Sequence, residues 1–226
     1  MILAVDTSLG TAVALADADG ARRAEAAAAD PLGHAEVIGD LLVEALREAG
    51  DGEITHVVAG MGPGPFTGLR AGLVTGRTLG FAWALPVHGV CSLDAAAFHV
   101  APEALAAGHA EFVVVTDARR KELYRRDYRV HEDELGPVIT PLGDPRVGPP
   151  EDVPALPCYG SGAGLYPDRL SHAVPGFSDL HPSAADLARA AWAITSRGQE
   201  LSTDTSPLYL RDSDAKVPAS PKRATR

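Results

Sequence analysis

Gly60-Met61-Gly62-Pro63-Gly64-Pro65-Phe66-Thr67-Gly68 is the stretch whose residue types most readily suggest chemistry, because it is glycine-rich and runs into a helical pattern. Free amides and the positive dipole end at a helix N-terminus attract anions. Against a phosphate loop stand the absent G-x-x-x-x-G-K-[ST] pattern, the lack of a lysine, and Pro63 and Pro65, which carry no N–H. The spacing also departs from that of dinucleotide folds. The stretch therefore reads first as a stiff turn that aims a helix. The eight histidines include no pair three or four apart, so HExxH zinc chemistry is excluded. Cys91 and Cys158 lie far apart without a partner motif, and no GxSxG is present. Cys91 reads as a small buried hydrophobe rather than a nucleophile. No catalytic constellation and no metal site emerge.

The helix after the loop is unusual. Gly68, Gly72, Gly76 and Gly80 fall four apart, so they form one slowly winding groove that drifts by roughly 40° per step. Each glycine costs about 1 kcal/mol relative to alanine in a helix interior. Close approach of another backbone would compensate. That backbone belongs either to this chain's own sheet or first helix, or to a helix of another subunit.

The elements that must position these residues follow from periodicity. "ILAVD", "TAVALAD" and "ARRAEAAAA" read as strands joined by tight turns. Residues 34–49 read as an amphipathic helix with Ile38, Leu41 and Leu42 in its apolar stripe, stopped by Gly50. "ITHVVAGM" is a strand that delivers the loop, and 67–84 is a second long helix. "VHGVCS" reads as a strand, "LDAAAFHVA" as a short helix and 101–110 as a junction. "EFVVVTDA" and "KELYRRDYRV" form a strand pair, and residues 136–157 a proline-rich surface loop. "PCYGSGAG" is a strand into a glycine turn, and "SAADLARAAWAITSRG" a helix with Ser183 as N-cap. Together they predict two tandem α/β lobes, 1–104 and 105–215, followed by a basic, disordered tail at 216–226.

Bulk properties set limits. The 226 residues, 46% of them hydrophobic, suffice for two small cores. A net charge of -10 makes a poor stand-alone nucleic-acid binder, because phosphate neutralisation drives such binding. The N-terminus has neither the pattern of a signal peptide nor that of a membrane span, and two unpaired cysteines fit a reduced, cytoplasmic protein.

"ILAVDTS" at 2–8, "GHAEVI" at 33–38, "GPGPFTGLRAG" at 62–72, "DARRKELY" at 117–124 and "PLYLR" at 207–211 resemble the TsaB (YeaZ) family, in order and over nearly the whole chain. The resemblance implies the two-lobed α/β fold of the actin, sugar-kinase and Hsp70 (ASKHA) superfamily, with mixed sheets flanked by helices. It implies a non-catalytic dimerisation subunit that binds and activates TsaD for threonylcarbamoyl transfer to adenosine 37 of tRNA, with no cofactor of its own. TsaE joins the larger complex, a homodimer forms when TsaD is absent, and tRNA is met only through the complex. The family's contact helices fall on 34–49 and 67–84. This tips the glycine ridge toward an intersubunit role, with Ile38, Leu41, Leu42, Gly68, Arg70, Gly72, Gly76 and Gly80 as interface residues. Pro65 stands where a serine is common in the family.

The superfamily also implies an ATP site on two glycine-containing hairpins, which would make the chain an ATP-dependent phosphotransferase or carbamoyltransferase. Asp6, Thr7 and Ser8 in "DTSLGT", and Gly160 and Gly162 in "GSGAG", are weak candidates for it. An Asp-Thr-Ser turn equally caps its own backbone. The hairpin "DARRKE" carries Arg119, Arg120 and Lys121 instead of glycines, so it attracts phosphate without cradling it. TsaD-like enzymes hold a metal with two histidines four apart on a helix, and no such pair exists here.

Overall fold

The structure, a computed structural model, describes residues 1–28 and 33–211. The basic tail expected at 216–226 lies outside the described residues. The first sheet contains β1 (Ile2–Asp6), β2 (Thr11–Ala16), β3 (Arg22–Ala28), β4 (His56–Gly60) and β5 (Val87–Val90), in the order β3-β2-β1-β4-β5. β1, β2 and β3 form an antiparallel meander, while β4 and β5 add in parallel beside β1. Parallel strands need crossovers. These are α1 (His34–Ala49) and α2 (Phe66–Trp83). The β1 residues are buried on both faces, hence the unbroken apolar run "ILAV". Leu3 and Val5 pack under α1 with Ile38, Leu41 and Ala45, whereas Ile2 and Ala4 face the other way.

The second sheet contains β6 (Glu111–Asp117), β7 (Leu123–Asp133), β8 (Gly136–Pro141), β9 (Arg146–Gly148) and β10 (Cys158–Tyr159), in the order β10-β6-β7-β8 with β9 paired to β7. The proline-rich segment expected to loop over the surface thus contributes two strands. Proline removes a ladder donor and is tolerated at an edge, where Pro137 and Pro141 of β8 lie.

Two helices fill the space between the sheets. α3 (Ser92–Ala106) is longer than the short helix expected, and it runs through Pro102 and much of the supposed junction. α5 (Ala184–Thr195) follows the short α4 (Ser161–Leu165), and Ser183 caps it by accepting from Asp186 N–H as expected. α5 packs Leu187 and its alanines against Ile2, Ala4 and Ala14 of the first sheet and against Ala95 and Phe98 of α3. α3 turns Leu93, Ala97 and Val100 to Phe112, Val114 and Tyr128 of the second sheet. Alanine on both helices permits this close layering. Among the described residues no helix is long and apolar enough to cross a membrane.

The glycine ridge faces inward, which corrects the interface expected for it. Gly68, Gly72, Gly76 and Gly80 are buried. A Cβ on Gly72 would lie 2.4 Å from Thr7 Oγ1, one on Gly76 3.2 Å from Ala59 Cβ, and one on Gly80 2.1 Å from Val87 Cγ2. Ile38 and Leu41 are likewise core residues, and Leu42 is half-buried. The apolar stripe of an amphipathic helix is its core stripe, so the residues most prominent in the sequence are those least available to a partner.

Gly72→Leu and Gly80→Leu should each lower stability by about 1–3 kcal/mol through overpacking. Val74→Ala, on the outer face of α2, should stay within about 0.5 kcal/mol of wild type. Equal urea midpoints for all three would show that the ridge is not packed in solution. A second expectation concerns the α3–α5 clasp, in which His99 Nδ1 lies 2.9 Å from Asp186 Oδ2. The hydrogen bond to Asp186 raises the imidazole above its usual range, against burial. Such a group adds stability that is full below the unfolded pKa of about 6.5 and fades as pH rises through the folded value. The side chain is 47% exposed, so the gain stays below about 1 kcal/mol. The urea midpoint of wild type relative to His99→Ala should grow as pH falls from about 8 to about 6. A difference that does not change with pH would refute the clasp.

Candidate functional site

The turn after β1 gathers the loop and helices around it. Asp6 is buried, and its Oδ1 accepts from Ser8 N at 2.7 Å and Ser8 Oγ at 2.6 Å. Its Oδ2 accepts from Ser92 Oγ at 2.5 Å, at the start of α3. Ser92 Oγ in turn accepts from Gly62 N–H at 3.1 Å, and Ser92 N–H donates to the Gly62 carbonyl at 2.8 Å. Thr7 Oγ1 donates to the Gly68 carbonyl at 2.7 Å and accepts from Gly72 N–H at 3.1 Å. Those two groups are partners one turn apart in an α-helix. The three residues read as weak cofactor candidates therefore pin the glycine-rich loop, α2 and α3 together.

The loop itself offers little to an anion. Pro65 is the N-cap of α2 and provides no side-chain cap, and Gly62 N–H is spent on Ser92. Gly60 and Gly64 permit close approach: a Cβ would meet Asp6 Oδ2 at 1.9 Å and the Ser8 carbonyl at 2.7 Å. Gly160 takes φ +111°, and a Cβ there would lie 2.2 Å from the Val115 carbonyl. On Gly162 a Cβ would lie 3.1 Å from Thr116 N. Both glycines serve the packing of α4 on β6 rather than a phosphate.

Between the sheets lies a cleft of about 770 Å³. Asp6, Ser8, Asp117, Arg119, Ser161 and Asp179 are among its walls. Thr7, Gly160 and Gly162 are not. Ser161 Oγ is buried without a hydrogen-bond partner. The sequence reading did not single out Asp117, Ser161 and Asp179; Asp117 stood in the motif at 117–124, and the other two were signalled only by nearby turn glycines. Arg119, Arg120 and Lys121 take φ of +60°, +52° and +64°, so the hairpin has the backbone that glycine favours but carries three cations. Arg119 N–H donates to Asp117 Oδ1 at 2.7 Å. Burial pushes the Cys91 thiol up, and the Cys158 thiol up to about 12, so neither is a nucleophile at neutral pH. Among the described residues no group of three or more His, Cys, Asp or Glu could hold a metal ion.

The outward faces of α1 and α2 are the second candidate surface. Phe66, Arg70, Val74, Arg77 and Phe81 fall within about 80° of arc on α2, opposite the glycine ridge. Val74 is 59% exposed and Phe81 90%, and on α1 Val43 is 53% exposed. The extended segment 201–211 runs beside this row. Tyr209 stacks on Phe66 and accepts from Arg70 Nε at 3.0 Å, and Thr205 accepts from Arg77. Leu208 N–H donates to the Met61 carbonyl and Arg211 to the Ala118 carbonyl, so "PLYLR" ties the loop to the cationic hairpin.

Comparison with known proteins places the chain. Residues 30–144, just over half of it, match the model of TsaD, tRNA N6-adenosine threonylcarbamoyltransferase. An uncharacterized protein of Mycobacterium tuberculosis is 36% identical over 190 residues, 83% of this chain and 79% of its own length. YeaZ from Pseudomonas aeruginosa superposes with a TM-score of 0.74 at 29% identity, covering 92% of this chain and 99% of YeaZ. A second Pseudomonas aeruginosa crystal structure, described as similar to peptidase YEAZ, gives the same score and identity over 93% of this chain. The two-lobed α/β architecture is therefore the one expected from the sequence, and the chain belongs to the family that the threonylcarbamoyltransferase model defines, within its YeaZ (TsaB) type.

Proposed function

We propose that this chain is a non-catalytic subunit that binds TsaD and activates it for threonylcarbamoyl transfer to N6 of adenosine 37 in tRNAs reading ANN codons. The observation that carries this reading is the outward row on α2, with Phe81 90% exposed. An apolar row of this kind, flanked by Arg70 and Arg77, is what a helix presents to a partner. The docking face is then Phe66, Val74, Phe81 and Val43 rather than the buried ridge. TsaD occupies it in the complex, a second copy of this chain occupies it when TsaD is absent, and TsaE joins the larger assembly. Activation follows if the subunit binds the competent conformation of TsaD better than the other. The setting is the cytoplasm, tRNA is met through the complex, and the partners hold the ATP used in the cycle.

Supporting the absence of catalysis here, the Asp6 carboxylate is engaged by Ser8 and Ser92, and the hairpin that would cradle phosphate carries arginines. The rival, an ATP-dependent transferase, rests on the cleft.

Light scattering on a sizing column tests the proposal, with the chain alone and mixed with TsaD in the presence of Mg-ATP. A new peak at the heterodimer mass is expected. Val74→Asp and Phe81→Asp should abolish it while leaving the melting temperature within about 2 °C of wild type. A heterodimer that survives both substitutions would refute this face. No heterodimer, together with calorimetric Mg-ATP binding by the chain alone, would favour the transferase.

A further inference from the structure

Two histidines stand on neighbouring strands away from both surfaces described above. β4 and the edge strand β5 run parallel with Val58 opposite His88. His56, two residues before Val58, therefore shares a sheet face with His88. Their ring centres are 5.8 Å apart and the planes meet at 80°. His56 Nε2 and His88 Nδ1 are both shut off from solvent, and neither has a hydrogen-bond partner. Buried polar nitrogens are nearly always paired, so two orphans side by side mark an unmet requirement.

Thr55 Oγ1 lies 3.3 Å from the Met1 carbonyl and 3.0 Å from His56 Nδ1. A hydroxyl has one proton. With that proton on the Met1 carbonyl, Thr55 Oγ1 accepts from Nδ1–H, and in that tautomer His56 presents Nε2 as a bare lone pair. Imidazole lone pairs suit zinc, copper and nickel. Two imidazoles sharing one ion at about 2.0–2.1 Å have ring centres about 5–6 Å apart, which spans the observed separation.

We propose that His56 Nε2 and His88 Nδ1 form a two-histidine site for a divalent transition-metal ion. Thr55 is a positioning residue that fixes the His56 tautomer. Two protein ligands make the ion exchangeable. The site lies on the face of the first sheet opposite α2, so it is independent of the partner reading.

The test is calorimetric titration of untagged full-length chain with Zn²⁺ and, separately, Ni²⁺. One saturable equivalent is expected for wild type. His56→Gln and His88→Gln should each weaken it at least tenfold, and Thr55→Val by about tenfold. His131→Ala, at an exposed histidine, should leave it unchanged. Wild type should melt higher with metal present, whereas the His56→Gln/His88→Gln double variant, with its fold checked by circular dichroism, should not. No saturable binding by wild type, or equal affinity in the double variant, overturns the site.

Discussion

The hydroxyl of Thr7, set between the carbonyl of Gly68 and the N–H of Gly72, is the contact on which most of the architecture depends. It brings the end of β1 against the backbone of α2, and only a helix without Cβ atoms at that point admits it. From there the ridge continues along the sheet, with Gly76 on Ala59 and Gly80 on Val87. The helical cost of four glycines is offset by backbone-close packing within one chain. Its consequence is directional. With the ridge committed inward, the opposite row of α2, from Phe66 to Phe81, must face out.

Asp6 extends the same constraint to the second sheet. Through Ser92 it fixes the start of α3, and in that same first turn Asp94 receives Arg126 Nη1 at 2.8 and 3.0 Å and Tyr128 OH at 2.8 Å from β7. The pair is half-buried, so breaking it would leave a partly desolvated charge without its partner and resist separation of the two sheets at α3. α5 reinforces this by crossing back onto the first sheet, and segment 201–211 then pairs Ser202 with Gly89 and reaches Ala118. α5 and segment 201–211 thus tie the two sheets together. Tyr209 and Arg211 link the outer row of α2 to the cationic hairpin by direct contacts.

Much of this was legible in the residues. Alternation and helical period located β1, β2, α1, α2 and α5, because their apolar residues answer to a single buried face or a fully covered strand. Ser183 marked the start of α5 by its own chemistry. The failures share a cause. Period shows that the glycines form a ridge, but which surface the ridge meets depends on Thr7, Ala59 and Val87, which are remote in sequence. The strands at 136–148 were hidden by prolines that an edge tolerates. The length of α3 was hidden because it is buried on two sides, so no apolar stripe stands out. His56 and His88 gave no signal, since thirty-two residues separate them and only the parallel register of β4 and β5 brings them together.

The cleft combines a left-handed hairpin with largely acidic walls. The hairpin at 117–122 keeps a left-handed backbone through three residues that bear side chains, a conformation costing of order 1 kcal/mol or more at each. The cations are not massed in the cleft: of the three, only Arg119 lines it, and its backbone N–H is taken by Asp117. The other charged walls are Asp6, Asp117 and Asp179, with His181 nearby. A polyphosphate entering there would meet three carboxylates against one guanidinium, and each approach within a few ångströms of an unscreened like charge costs energy. The outer row of α2 differs in kind, since Val74 and Phe81 stand open to solvent while Arg70 and Arg77 are held beside them by Tyr209 and Thr205.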